Sequence, residues 1–143
     1  MNTIQSRRAR SLLPLLFAVV SLAACENSET TEHVNTGQAC INDDEAGGFL
    51  VNVDFGICLS SSCSTLEESS CNVTVDGDTI TINSSATITE KTGPGVACTS
   101  DCGFTTADCE VPELTLDRYT VRYGDASQPL ELGGDLSVCV GDD

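Results

Sequence analysis

Nine cysteines are the residues best suited to chemistry in this chain of 143: Cys25, Cys40, Cys58, Cys63, Cys71, Cys98, Cys102, Cys109 and Cys139. Six of them fall in two polar stretches of similar spacing, Cys58-x4-Cys63-x7-Cys71 and Cys98-x3-Cys102-x6-Cys109. Thiols hold zinc, pass electrons or join as disulfides. Structural zinc prefers cysteine pairs roughly two to four residues apart, which Cys58/Cys63 and Cys98/Cys102 approach. A thiol oxidoreductase needs Cys-x-x-Cys beside a βαβ pattern, and neither occurs. Setting Cys25 aside leaves an even set of eight, which suits complete pairing in an oxidising compartment. Disulfides are therefore expected for Cys40, Cys58, Cys63, Cys71, Cys98, Cys102, Cys109 and Cys139. Spacing alone does not choose their pairing.

Other reactive groups are scarce. His33 is the sole histidine and sits in a polar stretch away from any expected pocket, whereas Ser-His-Asp or Cys-His chemistry needs a positioned imidazole. Lys91 lies next to turn residues and reads as an exposed loop lysine. Paired carboxylates can cleave glycosides, but a small domain without Trp offers neither a deep cleft nor a sugar-stacking platform. No catalytic residue and no cofactor is assigned, and the chain is not expected to be an enzyme. Asp43-Asp44-Glu45 and Asp76-Gly77-Asp78 raise calcium. Asp76 and Asp78 match the first two acidic places of an EF-hand loop, but Ile80 and Thr81 break the series. A hairpin turn explains Asp-Gly there more simply, and weak Ca²⁺ binding stays as an alternative.

The elements that position these groups begin with an address. Arg7, Arg8 and Arg10 precede an apolar run at 12–22 (LLPLLFAVVSL), which ends in Leu22-Ala23-Ala24-Cys25. Charged, then apolar, then small is the layout of a secretory signal. The run is about eleven residues, too short to span a bilayer as a helix. The tetrad resembles the lipobox of bacterial lipoproteins. That resemblance implies a signal peptide at 1–24 and a mature N-terminal Cys25 carrying palmitate-type acyl chains that hold the protein to a lipid bilayer. Glu26, which is not Asp, implies sorting to the outer membrane. Beyond the tetrad the chain is similar to small acidic Cys-rich lipoproteins, a likeness that supplies no activity.

Charge narrows the partners. Three of the six basic residues precede Cys25, leaving Lys91, Arg118 and Arg122 to face all 22 acids. Such a polyanion repels nucleic acid and anionic membrane surfaces. Phe49, Phe55, Phe104, Tyr119 and Tyr123 are the only aromatics after Cys25, so the core should be thin and cross-links should matter.

Residues 25–39 are polar and read as a flexible acidic tether of about 20 Å. Residues 40–143 read as one disulfide-rich domain. Phe49, Val51, Val53, Phe55 and Ile57 alternate as in a half-buried strand. Val73 and Val75, then Ile80 and Ile82, flank Asp76-Gly77-Asp78-Thr79. A hairpin there puts Val75 opposite Ile80 and Val73 opposite Ile82, with the alternation extending through Ala86 and Ile88. Tyr119, Val121 and Tyr123 form another set, followed by Leu130, Leu132, Leu136, Val138 and Val140. No segment shows a helical stripe. The fold class expected is all-β, a small antiparallel sandwich stapled by disulfides. Asp117-Arg118-Tyr119-Thr120-Val121 is similar to the tyrosine corner of immunoglobulin-type domains, which implies an immunoglobulin-like sandwich.

Stretches 58–72 and 91–112 fall outside the alternation, and loops this long are usually functional or pinned. The function expected is a binding or adhesion module, with 91–112 as contact surface and Phe104 as the candidate partner contact, toward a protein partner or Ca²⁺. The alternative is a passive acidic component of the cell envelope. Arg118 and Arg122 are expected to pair with surface acids or to mark an anion spot.

Overall fold

A computed structural model describes residues 27–44, 47–133 and 137–142. The lipobox tetrad with Cys25, the segment 1–24, Glu45 and Leu136 lie outside the described residues. Nine strands occur among those described: β1 (Asn27–Val34), β2 (Gln38–Asp43), β3 (Phe49–Asp54), β4 (Ser64–Asp76), β5 (Thr79–Thr92), β6 (Thr106–Glu110), β7 (Arg118–Tyr123), β8 (Ala126–Glu131) and β9 (Ser137–Gly141). No helix is present among them, and none is long and apolar enough to cross a membrane.

The strands form two sheets. One runs β6-β3-β2-β9, antiparallel throughout. The other is built on β5, whose Thr79–Asn83 end pairs parallel with β7 at 79–82, while β8 closes onto β7 antiparallel. β4 pairs with β5 along nearly its whole length. A strand has two hydrogen-bonding edges, so β1, which pairs with β5 from Ser85 to Thr92, shares the β7 edge and follows β7 along it. The result is an all-β, two-layer, sandwich-like domain with one parallel pair.

The alternating residues build the core. Val51, Val53 and Phe55 from β3 and its exit meet Ala39 and Ile41 of β2, Val140 of β9 and Ala107 of β6. Against them lie Val73, Ile80, Ile82, Ala86, Tyr119, Val121, Tyr123 and Leu130 from the other sheet. The expected hairpin register holds, with Val75 opposite Ile80 and Val73 opposite Ile82. The alternation also reaches Ile88, which is buried. Tyr119 makes the corner contact suggested by its surroundings: its hydroxyl accepts the backbone N–H groups of Thr115 at 2.7 Å and Leu116 at 2.8 Å.

The tether expected at 25–39 is corrected from Asn27 onward. Residues 27–34 are strand β1, and β2 begins at Gln38. The sequence hid β1 because seven of its eight residues are exposed, so no apolar alternation marks it. What holds it is backbone pairing, which satisfies the edge groups of β5 that β7 leaves open. The two polar stretches are likewise shorter as loops than expected. Residues 64–72 belong to β4 and 106–110 to β6.

β1 passes to β2 through a tight corner that changes sheets. Asn35 adopts φ 50° and Gly37 φ 77°, and a Cβ at Gly37 would overlap the backbone of Asp54 and Phe55. Asn35 Oδ1 accepts the Ser84 N–H at 2.8 Å, while the Asn35 N–H donates to Ser84 O at 3.0 Å. Tyr123 locks the corner. Its hydroxyl donates to Thr36 O at 2.7 Å and accepts from Ser84 Oγ at 2.8 Å.

Candidate functional site

All eight expected cysteines form disulfides: Cys40–Cys139, Cys58–Cys102, Cys63–Cys98 and Cys71–Cys109. Four such bonds belong to an oxidising compartment, and oxidised sulfur leaves no thiolate for zinc. Cys40 and Cys139 are direct partners on β2 and β9, with Cα atoms 4.0 Å apart. Cys71 of β4 reaches Cys109 of β6, joining the two sheets. The other two bonds do something different.

Cys58–Cys102 and Cys63–Cys98 sew the loop 58–63 crosswise to the loop 98–102. The loops run antiparallel, as the reciprocal backbone bonds of Leu59 and Gly103 show, at 3.0 and 2.8 Å. Between the two sulfur rungs lie Ser60, Ser61 and Ser62 on one side and Thr99, Ser100 and Asp101 on the other. Their side chains knit the space. Ser60 Oγ donates to Thr99 O at 3.0 Å, and Thr99 N–H donates to Ser62 Oγ at 2.9 Å. Thr99 Oγ1 lies 3.0 Å from Ser60 Oγ and 3.2 Å from Ser62 Oγ. The Ser61 N–H donates to Asp101 Oδ2 at 3.2 Å. Hydrogen bonding from Thr99 first, and from Ser61 next, holds the Asp101 carboxyl below its ordinary value of 3.8. We call this doubly bridged pair of loops the clamp.

The clamp rests on the far end of β5 and β4. Lys91 N–H donates to Cys63 O at 2.8 Å, and a cleft of about 340 Å³ opens between Glu90, Lys91, Ser64 and the Cys98–Asp101 loop. Lys91 therefore sits on a strand at a cleft and is not a loop lysine. His33, expected in a tether away from any pocket, instead faces a small cavity of about 170 Å³ with Thr31, Ile57, Ile88 and Glu90. β1 puts it there, because His33 is paired with Ala86.

Phe104 follows Gly103 directly and is 81% exposed, the most exposed large apolar side chain among the described residues. Its neighbour Thr105 is fully buried. Thr105 O accepts the Phe55 N–H at 3.0 Å, fixing the chain on either side of the exposed ring. Thr105 Oγ1 has no hydrogen-bond partner among the described residues.

Asp76 and Asp78 occupy the β4–β5 hairpin, where Asp76 pairs with Thr79 and Gly77 takes φ 60°. Among the described residues no group of three His, Cys, Asp or Glu side chains is placed to hold a metal ion. Arg118 pairs with Glu131 at 2.7 Å across β7 and β8, both side chains largely in solvent. The alternation drew attention to strands, and so the hydroxyl network of Ser60, Ser61, Ser62, Thr99 and Asp101 went unmarked. Its signal was the run of three serines between Cys58 and Cys63. The corner latch on Tyr123 left no local signal, since Thr36, Ser84 and Tyr123 are far apart in sequence.

No protein-family model, curated protein or solved structure matches the chain.

Proposed function

We propose that the protein is an exported, lipid-anchored recognition module, held through acylated Cys25 and contacting its partner through the clamp. The observation that carries this reading is Phe104: a large apolar ring in solvent, beside a loop tied down by two disulfides. A free ring on a floppy loop loses entropy when it binds. Cross-linking lowers that cost, so the clamp is suited to present Phe104 ready for contact. An immunoglobulin-like arrangement of the sandwich is the finer form of the same proposal, supported by the two N–H bonds into the Tyr119 hydroxyl and tempered by the parallel β5–β7 pair. The outer membrane is the location this reading implies for a host with two membranes.

A photo-reactive residue at position 104 in the full chain, tested in intact envelope, separates this function from a passive acidic component. Recognition gives adducts at 104 well above those from the same residue at Thr120, which is exposed on β7 outside the clamp. Equal yields at both positions favour the passive reading. Phe104→Ala then weakens the clamp's contact with its partner while unfolding at an unchanged temperature, because a side chain so exposed contributes little packing.

A further inference from the structure

β1 decides at which end of the molecule the chain that precedes it begins. Its first described residue, Asn27, is paired with Thr92, the last residue of β5, and Ser28 is paired with Lys91. The chain preceding Asn27 therefore arrives at the end of the sheet where Lys91 N–H bonds Cys63 O and where β5 runs out into the clamp. Cys25 stands two positions before Asn27. Two residues reach at most about 7 Å even when fully extended. An acyl group on Cys25 would thus lie within that reach of the end of β1 beside the clamp. The opposite end, marked by the β4–β5 hairpin and Leu116, is the length of β5 away. Thirteen residue steps from Thr79 to Thr92 at a strand's rise make this about 40 Å.

From this placement, and resting on the lipid anchoring proposed above, we infer that the clamp is a lipid-facing surface whose partner is the bilayer interface itself, with Phe104 as an interfacial contact. An exposed Phe is suited to shallow burial at the boundary of headgroups and acyl chains. A single additional ring also fits the anchoring chemistry, since stable attachment needs more than one weak insertion and the acyl chains supply the rest. The occupant must be a neutral lipid surface. Glu29, Glu90 and Asp101 lie at this end, and the chain from Cys25 onward, with only Lys91, Arg118 and Arg122 against 22 acids, is repelled by anionic lipid.

The chain contains no Trp, so one indole reports without background. Full-length, natively acylated Phe104→Trp and Leu116→Trp proteins are reconstituted into zwitterionic phosphatidylcholine vesicles carrying a brominated-chain lipid. Flotation with the vesicles tests the anchoring; quenching tests the orientation. The inference expects both proteins to float, with the indole emission at position 104 quenched and that at 116 unaffected. Flotation with the 104 indole unquenched, or with both equally quenched, overturns the orientation and leaves the anchoring standing. Failure to float overturns the anchoring and the inference together. A flexible spacer inserted between Glu26 and Asn27 must abolish quenching at 104 while flotation persists. Persistent quenching would show that Phe104 seeks lipid without direction from β1, and would also overturn the inference.

Discussion

At Tyr123 one phenolic oxygen serves two partners from different parts of the chain, the Thr36 carbonyl and the Ser84 hydroxyl. Tyr123→Phe leaves both unmatched in a half-dry corner and should cost about 1–3 kcal/mol in urea unfolding. Burial pushes the Tyr123 phenol above its ordinary value of 10.0, only partly offset by the Ser84 bond. The sign follows from which state ionises first. The unfolded phenol deprotonates near pH 10 while the folded one stays protonated, so this stabilisation is complete below that pH and falls as pH rises above it. Stability measured from pH 8 to 11 should drop on its alkaline limb in the wild type and flatten in Tyr123→Phe. Thr105 gives a prediction of opposite sign. Its hydroxyl is buried and unmatched, so Thr105→Val should stabilise the domain by about 1 kcal/mol in the same assay. A loss of stability instead would mean that the hydroxyl has a partner in solution.

Elements were legible where a face is buried. Phe49 through Val53, Val73 to Ile82 and Tyr119 to Tyr123 repeat every second residue because one side of each strand meets the core, and the structure places them in β3, β4, β5 and β7, while Phe55 and Ile57, expected in the same strand, lie beyond the end of β3 and pack on the core from there. β1 was illegible for the converse reason. Its stability comes from main-chain bonds to β5, and main-chain bonds leave no trace in side-chain pattern. The first half of β4 and all of β6 were masked similarly, since exposed Ser, Thr, Glu and Asp dominate them. Amide hydrogen exchange distinguishes a paired β1 from a tether. Alternate amides of 27–34, those facing β5, should be protected relative to their outward neighbours, though less than the amides of Val51 and Val53 at the centre of the other sheet. Exchange of all eight at free-chain rates would return this segment to a tether. It would also remove the basis for the orientation inferred above.

Across the whole molecule, four disulfides offset a thin core and a large excess of acid. The longest bridge, Cys40–Cys139, spans a sequence separation of 99, and closing loops of that size contributes about 4–5 kcal/mol in the chain-entropy model. With typical domain stability of only about 5–15 kcal/mol, the fold depends on its cross-links. The presence of disulfides was legible from an even count of cysteines. Their connectivity was not, because it depends on which loops the sheets bring together: β3 and β6 are antiparallel neighbours, so the exit of β3 and the entry to β6 bring 58–63 and 98–105 to the same place. The proposed recognition role depends on that crossing as well. Local pairing within each stretch would leave the two loops without a covalent tie, held to one another only by hydrogen bonds such as those between Leu59 and Gly103.

The most direct test is mass spectrometry of peptides from the natively extracted, non-reduced protein. Peptides joining Cys58 to Cys102 and Cys63 to Cys98, together with an N-terminal peptide whose Cys25 carries acyl mass, are the predicted result. Local Cys58–Cys63 and Cys98–Cys102 bonds, free thiols among the eight, or an unmodified Cys25 would contradict an anchored module that works through its clamp.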